Sequence, residues 1–171
     1  MAYDTIASPT TYESAVVNDY AGSPASLALT LALESFEAPE IDVLGIEEVS
    51  KASSTGTARH AVLRTGKALQ QKLSFTIICG KLNETSGQEA LFRGLAKNDL
   101  SGTSYSGWTV TSQLTGGNAA QIKIVRTLPQ ANGAAALYTY PIVVETLTPA
   151  AVGKARALKI DCLVVGDITQ S

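Results

Sequence analysis

Alternation of apolar and polar residues is the feature that most constrains this chain of 171 residues. Within residues 69–81, Leu73, Phe75, Ile77 and Cys79 occupy every second position. Successive side chains of a β-strand point to opposite faces, so a period of two indicates a strand with one apolar face. We therefore expect a strand at 69–81.

Similar patterns predict that most of the chain is β. Turn-forming residues such as Asn132 and Gly133 separate these runs. Pro141 interrupts one run and predicts an edge strand or a bulge there. The predicted architecture is a β-sandwich or barrel of about seven or eight strands. Besides 69–81, the predicted strands are 26–36, 41–49, a strand marked by Trp108 and Val110, another marked by Ile122 and Ile124, 137–147 and 157–169.

One helix is predicted on the flank of this β domain, at residues 86–97. Ser86 and Glu89 have the spacing of a capping box, in which each side chain satisfies a backbone N–H at the helix start. Leu91, Phe92 and Leu95 then form an apolar stripe at helical spacing.

The chain divides into an extended N-terminal arm at 1–24 and one domain at 25–171. The arm lacks a clear period but holds Tyr3, Tyr12 and Tyr20, half of the tyrosines of the chain. Tyrosine supplies a large contact area with few rotatable bonds, so these residues are candidate arm contacts. An unattached terminus is the alternative.

A polar, basic stretch at residues 50–60 separates two apolar runs. Its small side chains cannot form a core, which predicts a long loop, and such loops commonly carry a function. Candidate contact residues in and beside this loop have small polar or basic side chains: Lys51, Ser53, Ser54, Thr55, Arg59, His60 and Arg64.

Charge is distributed unevenly, although the formal net charge is only −2. Residues 1–50 contain nine acids and no Lys or Arg, whereas residues 51–81 contain six bases and no acid. Opposite charges favour pairing between surfaces. The two segments either neutralise each other within one copy or pair between copies.

The sequence offers little chemistry for catalysis. His60 is the only histidine, and no motif of a nucleophilic triad or phosphate loop accompanies it. Cys79 and Cys162 lie in apolar alternating runs, as buried thiols do. We expect no enzyme activity, no metal, no cofactor and no small-molecule substrate. Sequence-specific nucleic-acid binding is not expected either, since the basic segment lacks interleaved aromatics.

No basic start followed by an apolar stretch opens the chain, and no apolar run reaches the length of a membrane span. The sequence therefore predicts synthesis in the cytoplasm without a membrane segment.

The order of elements resembles that of phage tail tube proteins. An acidic first stretch, two strands, the polar loop at 50–60, the strand at 69–81 and the single helix follow in that order. The last strand, 157–169, ends in Gly166, Asp167, Ile168 and Thr169, which is similar to the C-terminal strand of that family. The resemblance covers most of the chain as an order of elements.

This resemblance implies a self-assembling subunit located in the virion tail. Hexameric rings would stack into a tube for genome delivery, with the polar loop contacting the next ring and the helix outside. Other tail proteins would be partners, and DNA would pass without sequence-specific binding. An acidic channel wall would repel phosphates. Candidate channel-facing acids are Glu34, Asp42 and Glu145.

Two alternatives remain open from the sequence. The first is another virion protein, such as a capsid decoration protein or a tail terminator, which would stop at a closed oligomer. The second is a small-ligand-binding β-barrel, which predicts a monomer with an apolar cavity.

Overall fold

The computed structural model describes most of the chain. The described residues are 13–39, 44–52, 58–68, 71–80, 84–114, 119–129 and 135–171.

The described part of the chain forms eleven strands and one helix, which confirms the mainly β prediction. Four strands span only two or three residues, and seven are longer. The strands are β1 (Ser14–Asn18), β2 (Ser26–Ala28), β3 (Leu44–Ala52), β4 (Ala58–Ala68), β5 (Gln71–Ile78), β6 (Ser112–Gln113), β7 (Ala119–Ala120), β8 (Ile122–Pro129), β9 (Ala135–Val152), β10 (Ala155–Val164) and β11 (Thr169–Gln170), and the helix is α1 (Gln88–Lys97).

Seven of these strands form one antiparallel sheet. Its order is β2-β1-β8-β9-β10-β5, and β11 pairs with β9. The sheet is not a closed barrel. Residues 29–37 instead pass from β1, next to one edge, to β5 at the other edge: Leu29 N donates to Ala15 O at 2.9 Å on β1, and Ala32 N donates to Thr76 O at 2.8 Å on β5.

The pairing of residues 13–37 with β1, β8 and β5 corrects two sequence predictions. The strand expected at 26–36 ends at Ala28, and beyond it only isolated bridges at Leu31 and Glu37 pair with β5. The arm expected at 1–24 includes β1, which lies in the sheet between β2 and β8. Alternating burial of Ala15 and Val17 explains why β1 belongs to the sheet.

The core lies on one face of this sheet, where the apolar positions of the alternating runs meet. Phe75 is central to it: its ring stacks on Phe36 with centroids 5.5 Å apart and meets the edge of Phe92 on α1 at 5.5 Å. The alternation in 69–81 therefore identified the buried residues correctly, since Leu73, Phe75 and Ile77 are all fully buried. Ile122, Ile142 and Ile160 extend the same core across β8, β9 and β10.

Helix α1 begins two residues later than predicted, and its start has no side-chain cap. Gly87 is the N-cap, with φ 91°, and no Ser86–Glu89 capping box forms. The Glu89 carboxylate instead accepts hydrogen bonds from Arg93 and Arg156. The predicted apolar stripe is confirmed, since Leu91, Phe92 and Leu95 are buried.

β9 accommodates Pro141 although it is a central strand, so the edge strand predicted there is wrong. Val165 N donates to Pro141 O at 2.9 Å, which places the proline nitrogen on the same side, beyond the end of β10. The register between β9 and β10 shifts at Asp161 and Cys162, which leaves Glu145 as the extra residue of a bulge. The bulge thus lies four residues after the proline.

β3 and β4 form a hairpin with its own two-stranded sheet. Ser50 pairs with His60, Lys51 with Arg59 and Ala52 with Ala58, so the loop predicted at 50–60 is wrong at both of its ends. Residues 53–57 lie outside the described residues. The predicted strand at 41–49 is confirmed from Leu44 onward.

Cys79 and Cys162 are free and buried, as their apolar runs predict. Cys79 N donates to Arg156 O, so Cys79 lies beside residue 156 of β10, six residues before Cys162. At about 3.3 Å per residue the two are roughly 20 Å apart, which is too far for a disulfide. Residues 108–110, expected in a strand, precede β6, and Trp108 packs instead on the edge of Tyr105.

Candidate assembly surfaces

Among the described residues, no group of three or more His, Cys, Asp or Glu side chains could hold a metal ion. Burial raises the pKa of Cys162, so this thiol is held in its neutral form. None of the helices described is long and apolar enough to cross a bilayer.

The most exposed large apolar side chain in the described part of the chain is Leu33, at 81%. It lies in a turn formed by residues 31–37, which we call the 31–37 turn. Glu34 follows it with φ 54°, in the left-handed region that a glutamate rarely adopts. This backbone places both side chains in solvent.

The 31–37 turn is held firmly from both sides. Ser35 Oγ donates to Ala32 O at 2.8 Å, and Thr76 N donates to Ser35 Oγ at 3.2 Å. Glu37 and Ser74 exchange two backbone hydrogen bonds of 2.8 and 3.0 Å. Phe36 anchors the turn in the core, stacked on Phe75. A leucine exposed on so fixed a backbone is presented as a rigid contact surface.

A groove of about 460 Å³ runs beside this turn. Leu29, Leu31, Ala32 and Leu33 contribute its apolar lining, and Glu13, Ser14 and Glu34 also line it. Arg126 neutralises Glu13 through an ion pair, and its guanidinium also lies 4.5 Å from the centre of the Phe36 ring. Within the part of the chain that is described, Glu34 has no such partner. The groove is therefore apolar with one uncompensated carboxylate.

The predicted channel-facing acids lie in different surroundings. Glu34 belongs to the 31–37 turn and not to a strand. Glu145 lies at the β9 bulge, exposed, where it forms a 3.2 Å ion pair with Lys72. Asp42 lies outside the described residues. Among the described residues, Glu34 is thus an exposed acid without an ion pair, whereas Glu145 is paired with Lys72.

Some of the predicted loop contact residues lie in β3 and β4, and the others lie outside the described residues. Lys51 lies in β3, and Arg59, His60 and Arg64 lie in β4. Ser53, Ser54 and Thr55 lie outside the described residues. In the described part of the chain, the strand pairing of β3 and β4 is with each other alone.

The predicted tyrosine contacts are also divided. Tyr20 packs within its own chain, with Lys123 Nζ 4.8 Å from the ring centre. Burial raises the pKa of Tyr20 to about 12. Its hydroxyl is buried without a hydrogen-bond partner. Tyr3 and Tyr12 lie outside the described residues.

The start of α1 contrasts with the 31–37 turn because its charged groups pair within the chain. Glu89 receives two hydrogen bonds from Arg156, of 2.6 and 2.8 Å, and one of 2.8 Å from Arg93. The bonds from Arg156, and secondarily those from Arg93, lower the pKa of Glu89 to about 2. This cluster ties α1 to β10, and sequence reasoning missed it by assigning Glu89 to a capping box.

Comparison with known proteins finds similar structures but no protein of similar sequence. No family model matches the chain, and no curated protein matches its sequence. Among solved structures, the anti-feeding prophage cap, a tube terminating cap, aligns with a TM-score of 0.51 at 10% identity, over 98% of this chain and 93% of that one. The chain therefore shares its fold with this tube terminating cap. The SPP1 tail tube also aligns, with a TM-score of 0.49 at 13% identity, over 93% of this chain and 76% of that one.

Proposed function

We propose that the chain is a structural subunit of a phage tail tube and not an enzyme. The observation that carries this proposal is the fold shared with a tube terminating cap over nearly the full length of both chains. In the proposed assembly, copies form hexameric rings that stack into the conduit for genome delivery. The protein then belongs to the virion tail, with its own copies and other tail proteins as partners.

The β3–β4 hairpin gives this proposal a physical basis. Its strands have nine and eleven residues, and their pairing in the described part of the chain is with each other. A two-stranded hairpin alone is marginally stable in water, and exposed strand edges tend to pair with other chains. We propose that this hairpin, with Lys51, Arg59, His60 and Arg64, makes contacts between neighbouring rings.

The proposed channel carries acids that repel the phosphates of passing DNA. Glu34 is the best candidate among the described residues, because no cation neutralises it there. Glu145 is weaker, since Lys72 lies 3.2 Å away. Asp42 and the arm contacts Tyr3 and Tyr12 stay as proposals from the sequence alone.

Electron microscopy of the purified protein at several concentrations tests the proposal. Hollow tubes are the expected product. A Lys51→Glu and Arg59→Glu double variant reverses the charge at two positions that pair in the β3–β4 register. We expect it to leave rings intact and prevent their stacking, while the matched variant Lys154→Glu, at the exposed tip of β9 and β10, still forms tubes. Monomers at every concentration, with or without other tail proteins, would contradict the proposed function.

A tube terminator is a second candidate, favoured by the alignment with a tube terminating cap. A tube subunit needs two complementary stacking faces, whereas a terminator needs only one. The same micrographs separate them, because a terminator stops at single rings that cap preformed tubes.

A further inference from the structure

We infer that Gln88, the first residue of α1, is the positioning residue of the 31–37 turn and holds Glu34 in its left-handed conformation. The inference rests on the proposed function and deepens it, because Glu34 is the described acid proposed to face the channel. Through Gln88, the helix thus determines where that acid is placed.

The backbone strain of Glu34 is the first step of the argument. Its φ of 54° lies in a region that costs roughly 1–2 kcal/mol for an L-residue other than glycine. A strained residue keeps its conformation only where the surrounding structure fixes the chain around it. The turn therefore needs an anchor before Glu34 as well as one after it.

The anchor after Glu34 is formed by the turn and β5. Thr76 N donates to Ser35 Oγ at 3.2 Å, and the Phe36 ring stacks on Phe75 in the core. These contacts fix residues 35 and 36 without a hydrogen bond from the helix.

The anchor before Glu34 includes the side chain of Gln88. Its carboxamide oxygen accepts from Thr30 N at 2.8 Å, and its carboxamide nitrogen donates to Ile78 O at 2.6 Å. Ile78 N donates in turn to Thr30 O at 2.9 Å. The side-chain amide of Gln88 therefore bonds to both chain segments as a backbone amide would, at the point where the chain reaches β5 from β1.

The start of α1 is shaped for this contact. Gly87 precedes Gln88 with φ 91°, a conformation that residues other than glycine rarely adopt. The helix start has no side-chain cap, although a serine or aspartate cap typically stabilises a helix by about 1 kcal/mol. This helix start therefore directs Gln88 towards Thr30, 58 residues away in sequence, and lacks a cap of its own.

Nuclear magnetic resonance of the free, full-length chain tests this role. The Cα chemical shift and the amide–Hα coupling constant of a residue report whether its φ is positive, so they follow Glu34 directly. In Gln88→Ala we expect both values of Glu34 to move towards those of a negative φ. We also expect the amide of Ala32, which donates to Thr76 O at 2.8 Å, to exchange with solvent at least about tenfold faster.

Gln121→Ala is the matched control, because Gln121 makes the same kind of contact at the other end of α1. Its carboxamide donates to Leu95 O and accepts from Val144 N, both at 3.0 Å. We expect this variant to leave the shift and coupling constant of Glu34 unchanged.

Two further variants separate positioning from a general loss of stability. Gln88→Met keeps the length of the side chain but makes neither hydrogen bond, so it is expected to give the same changes at Glu34 even where Gln88→Ala fails to fold. In a Glu34→Gly background, Gln88→Ala is expected to accelerate the exchange of Ala32 less, because glycine holds a positive φ without strain.

Three results would overturn the inference: unchanged Glu34 values in the Gln88 variants, equal changes in Gln121→Ala, or equal acceleration of exchange with and without Glu34→Gly. These values are measured on the free chain. Their failure is therefore distinguishable from failure of the tube proposal, which microscopy of the wild type decides.

Discussion

The start of α1 and the 31–37 turn both fasten the same strand, β5, but in opposite ways. At α1, Gln88 donates to Ile78 O at 2.6 Å and accepts from Thr30 N at 2.8 Å, and two arginines neutralise Glu89. At the turn, the backbone is also anchored by hydrogen bonds, yet Leu33 is exposed. Glu34 forms no ion pair with any of the described residues. A region whose charged groups pair within the chain stabilises the fold. A rigid region that exposes an apolar side chain and an unpaired charge is suited to binding a partner.

The largest expected effect separates the core from the turn. Phe75→Ala removes a fully buried ring that contacts Phe36 and Phe92, and we expect a loss of about 3–5 kcal/mol in the free energy of unfolding. Leu33→Ala, its matched control in solvent, is expected to change stability by less than about 0.5 kcal/mol. Urea denaturation followed by circular dichroism measures both. Equal losses would mean that the 31–37 turn is part of the folding core after all.

A smaller effect is expected at Glu89, and it depends on pH. The pKa of Glu89 is lowered from 4.5 to about 2, so its carboxylate stabilises the fold above pH 4.5 and loses that contribution as the pH falls towards 2. Since its side chain is only 13% exposed, we expect Glu89→Gln to cost about 1–3 kcal/mol at pH 7 and almost nothing at pH 2.

Denaturation curves at pH 7, 4 and 2 measure this difference. Glu34→Gln is the matched control, because Glu34 has no arginine partner in the described part of the chain, and it is expected to show no comparable loss of stability at pH 7. A pH-independent loss in Glu89→Gln would contradict the assigned role of the Arg156 and Arg93 pairing.

The comparison also explains what the sequence could predict. Alternation identified β5, β8, β9 and β10, because burial of one sheet face imposes a period of two on the residues themselves. The same pattern even records the bulge at Glu145: apolar positions at Tyr140, Ile142 and Val144 resume at Leu147, one residue out of phase.

The turn could not be predicted in this way. Leu31 and Leu33 continue the alternation of the preceding residues, but the backbone leaves β1 for β5 between Leu29 and Leu31, and this change depends on strands distant in sequence. Glutamate is also no signal for a left-handed residue, which glycine or asparagine would have given. Likewise, Glu89 fits a capping box by spacing alone, and only the fold brings Arg156 to it.

The smallest expected effect concerns the backbone of Glu34 and sharpens the comparison most directly. Glycine adopts a φ of 54° without strain but loses more entropy on folding, so we expect Glu34→Gly to raise the free energy of unfolding by only about 0.5 kcal/mol. Asn98→Gly, at the other positive-φ non-glycine residue among those described, should gain less, because asparagine tolerates this conformation. If the turn serves a partner, Glu34→Gly stabilises the monomer while weakening association, measured by sedimentation beside the denaturation curves. A variant that gains stability and associates as well as the wild type would show that neither the charge nor the strain of Glu34 is used in assembly.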